Sequence, residues 1–297
     1  MTPLVRRPGI VVVDKPRGPS SHQVAAWVGE ILGVPVGHAG TLDPQVSGLL
    51  VVMLGRAVRL ARLFLGHEKE YVCLMRLHAD VDEARVRAGA SEFVGRIYQR
   101  PPRRSAVKRQ LRIRRIHELE VIEVTGRLVL FRVVCDAGTY IRTLCHHVGL
   151  ALGCGGQMVE LRRTRSGAFG EADAVTLHAL KDASVRALEG NRDPLDAMVL
   201  KIDAAVPDLK RIVIGDRAVD AVCRGAALAG VGVVELPPFK AGETVALATR
   251  AGELVALART LVPSESTGPG RTGLVATPET VFMQPGTYPR GWSRGAR

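Results

Sequence analysis

LEVIEVTGRLVLFRVVCDAGTYIRTLCHHVGLAL, residues 119–152, holds three elements in 34 residues. Leu119–Thr125 and Arg127–Cys135 are rich in β-branched and apolar residues and read as a hairpin turning at Gly126. After Asp136-Ala137-Gly138 the period changes: Ile141, Leu144, Cys145, Val148 and Leu152 fall on one helical stripe. Working outward, GIVVV (Gly9–Val13) is a short strand. A helix follows that Ser20 or Ser21 can cap, with Val24, Trp27, Val28 and Ile31 on one face and Gly33 at its end. Leu49–Leu54 and Glu70–Leu77 read as strands, Arg56–Leu65 as helical, and His78–Gly95 as a polar Arg- and Ala-rich segment. Strands and helices interleaved without a βαβ rhythm predict an α+β fold with a mixed sheet.

The composition shifts near Asn191–Pro194 and again at Val206–Asp208. Beyond it run four short strands, Arg211–Ile214, Val231–Leu236, Glu243–Thr249 and Glu253–Thr260, interrupted by one helix over Asp216–Arg224. This pattern predicts a small β-barrel module, so the expected division is residues 1–206 and 207–297. The tail beyond Tyr288 is basic and expected to fray.

Charge narrows the function classes. The chain has 297 residues and a net charge of +12, and only seven of its 41 basic residues are lysines. Such a surplus, built from arginine forks, points to a polyanion such as nucleic acid. Between Arg100 and Arg115 lie eight cations and no acid, among them Arg103, Arg104, Lys108 and Arg109. That self-repulsion is relieved by an anionic partner. No apolar run approaches the ~20 residues of a membrane span, and no signal-peptide core opens the chain, so a cytoplasmic protein is expected. Five scattered cysteines without metal-ligand spacing read as reduced core residues. No phosphate-binding loop, dinucleotide loop or HExxH is present, and neither metal nor cofactor is expected.

One loop is too rich in special residues to be filler: GHAGTLDPQVSG, Gly37–Gly48. Its glycines permit unusual backbone geometry, and Pro44 stiffens the position after Asp43. A short carboxylate on such a loop either caps a turn or does chemistry. The wider chain favours chemistry. GHAGTLDP resembles the signature of the TruB group of pseudouridine synthases, VVVDKPRGPSSHQVAAWV its opening motif, EYVCLMRL its tyrosine strand, and AGTYIRTLCHHVG its arginine helix. PPRRSAVKRQLRIRRIHELEV, GGQMVELRRTRSGAF and GLVATPETVFMQPGTYPRGW resemble the archaeal dyskerin-like branch, the catalytic subunit of H/ACA guide ribonucleoproteins. RIVIGDRAVDAVCRGA resembles a PUA domain. The resemblance covers roughly Gly9–Trp292. The longer N-terminal extension common in that branch is not seen before Gly9, and GLLVV (Gly48–Val52) stands where the branch usually reads GCLPV.

The resemblance implies isomerisation of uridine to pseudouridine, which exchanges no electrons and needs no cofactor. It implies Asp43 as the catalytic carboxylate, Arg142 as its cationic partner, and Tyr71 as the residue that stacks on the target base and accepts a proton. It places His38 beside the extruded base, Leu161 in the pocket wall and Lys15 under the catalytic loop. Arg103, Arg104, Lys108 and Arg109 lie in a loop gripping substrate RNA, with Arg162, Arg163 and Arg165 extending the track. Implied partners are an H/ACA guide RNA, ribosomal RNA and the T-loop uridine of transfer RNA as substrates, small subunits of zinc-ribbon and β-barrel type, and a kink-turn-binding protein. The alternatives are a non-catalytic guide-RNA scaffold, which the presence of Asp43, Tyr71 and Arg142 disfavours, and a stand-alone transfer-RNA synthase.

Overall fold

The computed structural model describes residues 4, 5, 7–64, 66–100 and 110–290, with residues 62 and 63 by backbone alone. The basic residues 103, 104, 108 and 109 and the tail from 291 onward lie outside that range. The chain divides into two compact units, one formed mainly by residues 10–54 and 60–200 and the other mainly by 201–297.

The first unit is built on β1 (Gly9–Lys15), α1 (Ser21–Leu32), β2 (Val36–Ala39), β3 (Ser47–Leu54), α2 (Ala61–Phe64), β4 (Lys69–Leu77), α3 (Glu83–Ser91), β5 (Gly95–Gln99), β6 (Arg112–Thr125), β7 (Leu128–Cys135), α4 (Ile141–Ala151) and β8 (Gly156–Ser166). Short strands β9 (Phe169–Gly170) and β10 (Ala174–Val175), helices α5 (Leu177–Leu188) and α6 (Asp193–Met198), and β11 (Leu200–Lys201) follow. The main sheet runs β10-β1-β3-β8-β4-β7-β6-β5, with β2 paired on β3. It is mixed: β3 and β8 are parallel, whereas β8, β4, β7, β6 and β5 are antiparallel in succession.

Among the described residues, two apolar clusters help hold this unit. One joins α4 to the sheet: Ile141, Leu144, Cys145 and Val148 meet Tyr71, Cys73, Phe131, Val133 and Leu161. The other packs α1 and α5 on β1 and β3. Every residue of the expected α4 stripe is buried. The expected face of α1 is rotated: Val24, Ala25, Val28 and Leu32 are buried, while Trp27 stays 37% exposed. Ala25 serves because a small residue lets the helix approach the sheet. Ser20 is the cap that forms, its hydroxyl accepting from the Gln23 N–H at 3.1 Å. The region read as one helix from Arg56 to Leu65 is a 3-10 turn over Gly55–Leu60 followed by the single turn α2. The polar segment after β4 contains α3, capped by Asp82.

The second unit is a six-stranded sheet in the order β13-β17-β16-β15-β12-β14, with β12 (Arg211–Ile214), β13 (Leu228–Ala229), β14 (Val233–Glu235), β15 (Thr244–Thr249), β16 (Leu254–Thr260) and β17 (Leu274–Val281). Its end strands β13 and β14 are consecutive in the chain, which brings the sheet to a nearly closed barrel. α7 (Asp216–Cys223) packs Val219 and Val222 into the barrel core with Ile212, Leu247 and Val255. Among the described residues no helix is long and apolar enough to cross a membrane.

Candidate active site

The loop between β2 and β3 is tied down at nearly every residue around Asp43. The Ser21 hydroxyl accepts from the Leu42 N–H at 2.8 Å and donates to the Leu42 carbonyl at 2.9 Å. The Gly18 N–H donates to the Pro44 carbonyl at 2.8 Å, and the Val46 N–H to the Asp43 carbonyl at 3.0 Å. Gly40 has φ +73°, and its carbonyl accepts from Arg163 Nη2 at 2.8 Å. These bonds fix the main chain and leave the carboxylate of Asp43 projecting, 60% exposed. Arg142, in the first turn of α4, reaches it: Nη2 donates to Oδ2 at 2.6 Å. This is a charge-assisted contact between groups 99 residues apart.

Behind the pair lies one row across the sheet. Gly48 on β3 pairs with Arg163 on β8, Arg163 with Tyr71 on β4, and Tyr71 with Val133 on β7. Gly48 has φ +97°, and a Cβ there would stand 2.2 Å from the Arg163 carbonyl oxygen, so only glycine allows the strands to meet here. Arg163 is 1% exposed; its Nε donates to the Leu49 carbonyl at 2.7 Å. The expected RNA track of Arg162, Arg163 and Arg165 is therefore corrected at Arg163, the one of the three that is buried. Arg163 is a buried brace, Arg162 is paired with Asp14 at 2.9 Å and Glu171 at 2.7 Å, and Arg165 lies 3.9 Å from Glu68 and Glu70.

Tyr71 is 9% exposed. Burial pushes its phenol above the ordinary range, while the charge of Arg163 and a hydrogen bond from it act the other way. Leu161 shares a cluster with Tyr71, Leu42, Val46 and Ile141, forming an apolar wall beside the acid. Lys15 lies beneath the catalytic loop, out of reach of a substrate. It is 0% exposed, and its Nζ donates to the carbonyls of Pro16 at 2.8 Å, Pro19 at 2.9 Å and Pro44 at 3.4 Å. Its pKa is lowered by burial and by Arg163, against an opposing pull from Asp43. His38 sits half-buried on β2 with Nδ1 unpartnered; burial, His22 and Arg163 lower its pKa.

Two further residues were not singled out from sequence. Lys69, 3% exposed, donates to the carbonyls of Phe64 at 3.3 Å and His67 at 3.0 Å, and burial with Arg163 pulls its pKa down to about 8. Gln99 holds the main chain of Tyr140 just ahead of α4. Among the described residues no group of three or more His, Cys, Asp or Glu side chains could hold a metal ion.

The site thus sets an exposed aspartate, gripped by an arginine, beside a buried tyrosine and an apolar wall. Family models agree across the chain: the TruB family pseudouridylate synthase N-terminal domain matches residues 31–141, the tRNA pseudouridylate synthase B C-terminal domain 142–207, and the PUA domain 210–277. The chain belongs to the TruB family of pseudouridine synthases. It is an isomerase that converts uridine to pseudouridine. It is 52% identical over 289 residues to the probable tRNA pseudouridine synthase B of Methanosarcina barkeri, covering 96% of this chain and 86% of that one. It is 50% identical to the protein of that name from Methanothermobacter thermautotrophicus, covering 96% and 89%. Among solved structures, an H/ACA ribonucleoprotein bound to a substrate RNA containing 2'-deoxyuridine matches with a TM-score of 0.85 and 43% identity, covering 96% of this chain and 88% of that one. A Cbf5-Nop10-Gar1 complex matches with a TM-score of 0.84 and 46% identity, covering 95% and 87%.

Proposed function

We propose that this synthase is the catalytic subunit of a guide-directed particle that modifies ribosomal RNA, with the T-loop uridine of transfer RNA as a second substrate class. The observation that carries the reading is the Asp43–Arg142 pair set on a braced loop. Isomerisation breaks the N-glycosidic bond, turns the uracil and rejoins it through C5. Asp43 attacks or stabilises the sugar or base in that sequence, and Arg142 holds the carboxylate aimed. The target uridine has to leave its stack, and the Tyr71 ring receives its face while Leu161 backs it. The Tyr71 hydroxyl, kept protonated at neutral pH by burial, accepts the C5 proton only as it hands its own to water, while N1 of the turned uracil takes a proton up, so it acts as a relay. His38 lies on the strand leading into the catalytic loop, where a neutral imidazole can meet the RNA beside the extruded base.

Arg103, Arg104, Lys108 and Arg109 supply phosphate contacts, which position RNA but carry little sequence information. Selection of one uridine then falls to base pairing with a guide RNA, anchored by the PUA unit. In that unit Gly225 leaves open space around its backbone for close approach. Small protein subunits complete the particle, in line with the Nop10 and Gar1 chains that accompany the solved relatives. Such a particle works in the cytoplasm, with its RNA. The relatives named as transfer-RNA synthases favour a second reading, a stand-alone enzyme. A ribosomal substrate incubated with and without guide and subunits separates the two. Modification only in the complete mixture is expected; equal, site-specific modification in both tubes overturns the guide-directed reading.

A further inference from the structure

Gln99 closes β5, one residue ahead of the arginine-rich run, and is 1% exposed. Its amide meets the main chain of one residue, Tyr140, at both its N–H and its C=O. Oε1 accepts from the Tyr140 N–H at 2.9 Å, and Nε2 donates to the Tyr140 carbonyl at 3.1 Å. Tyr140 precedes α4 in an extended conformation, and its own side chain does not cap the helix. The same carbonyl accepts from the Leu144 N–H at 3.0 Å, so it also closes the first helical turn. Arg142 lies two residues on.

A primary amide carries a donor and an acceptor side by side, so it fits a main-chain N–H and C=O pair in one orientation. With both bonds made, the start of α4 cannot slide or rotate without breaking them. The opposite side of the turn is fixed as well: Asp136 Oδ2 accepts from the Arg115 N–H at 2.9 Å, and the Thr139 hydroxyl donates to the Asp136 carbonyl at 2.7 Å. Asp43 and Arg142 themselves are 60% and 51% exposed, so their alignment depends on what lies beneath them.

We infer that Gln99 is a positioning residue that aims Arg142 at Asp43 by clamping the Tyr140 peptide, and that it ties the end of β5, where the RNA-gripping run begins, to the active-site arginine. The inference rests on the assignment of Asp43 and Arg142 as catalytic. Misplacing a reacting group by ~1 Å costs on the order of 100-fold in rate. Gln99→Leu keeps the bulk and loses both bonds. Gln99→Glu keeps both when its acid is neutral, because the hydroxyl can donate to the carbonyl, and loses the donor when ionised.

The test uses the full chain, with whatever guide and subunits the wild type requires, in single turnover at saturating RNA. Gln99→Leu should slow the rate by about 10- to 100-fold while the RNA Kd stays within about threefold. The Gln99→Glu rate, divided by the wild-type rate at each pH, should rise toward one in acid and fall in alkali. The same ratio for Gln99→Leu should stay flat. A wild-type rate for Gln99→Leu, or a pH-independent ratio for Gln99→Glu, overturns the inference. If the leucine variant does not fold, the pH ratio of the glutamate variant decides alone. Arg142→Ala, run alongside, separates the two levels. Full activity there sinks the catalytic assignment, whereas a dead Arg142→Ala with an unimpaired Gln99→Leu sinks only the role of Gln99.

Discussion

Gly48→Ala tests the row that supports the active site. Its φ of +97° is a conformation that costs an alanine ~1–2 kcal/mol. The new Cβ would also stand 2.2 Å from the Arg163 carbonyl oxygen and 2.7 Å from its nitrogen. Both are main-chain atoms, so relief requires β3 to move off β8 where Ser47 and Gly48 pair with Arg162 and Arg163. Losing one or two ladder bonds adds roughly 0.5–1.5 kcal/mol each. The expected destabilisation is roughly 2–5 kcal/mol. Gly126→Ala is the control: its φ is +56° and nothing lies within 4 Å of a Cβ there, so it should lose about 1 kcal/mol. Urea unfolding followed by Trp27 fluorescence, in a Trp292→Phe background, reports on α1 of the catalytic unit. Because Arg163 also holds the Gly40 carbonyl and bonds Tyr71, turnover in Gly48→Ala should fall more than RNA binding does. Equal stability loss in the two variants, with turnover intact in both, would refute the reasoning.

Tyr71→Phe keeps the ring and removes the hydroxyl, so RNA binding should persist while turnover falls by about 10²–10⁴-fold, the scale of proton-transfer catalysis. Unchanged turnover in a C5-tritium-release assay would reduce Tyr71 to a packing residue. Lys69 has a folded pKa of about 8 against 10.5 unfolded, so between those values the unfolded chain holds a proton the folded chain has released. Its contribution to stability therefore rises with pH across that window, by up to about 1.4 kcal/mol per pH unit. Urea titrations from pH 7.5 to 10.5 should show wild type gaining on Lys69→Met, and parallel curves would contradict the buried charge.

The helix stripe of α4 and the hairpin before it were legible because one face of each is buried, so period and burial coincide. Asp43 and Arg142 stood out through motif, yet only the fold shows their side chains in contact across 99 residues. Arg163 was misread for a physical reason. In ELRRTR, alternation along β8 puts Arg163 on the same inward face as Leu161, but charge argued for the surface. A buried arginine is tolerated here because main-chain carbonyls of Gly40 and Leu49 receive it, and those come from a loop and a strand more than 110 residues away. Lys69 escaped notice likewise, since its carbonyl partners belong to a turn with no periodic signal. In the barrel, β13 is two residues long, and β17 carries Pro278 in its midst, which hides a strand from pattern alone.

Asp43 carries the account, and Asp43→Asn tests it with the least change of shape. The asparagine keeps the volume and a carbonyl oxygen for Arg142 while removing the charge and the nucleophile. Single-turnover release of tritium from C5-labelled uridine in the substrate RNA, with RNA affinity measured on the same preparations, is the direct readout. The account predicts no detectable release with the RNA Kd near that of wild type. Full turnover by Asp43→Asn would contradict it.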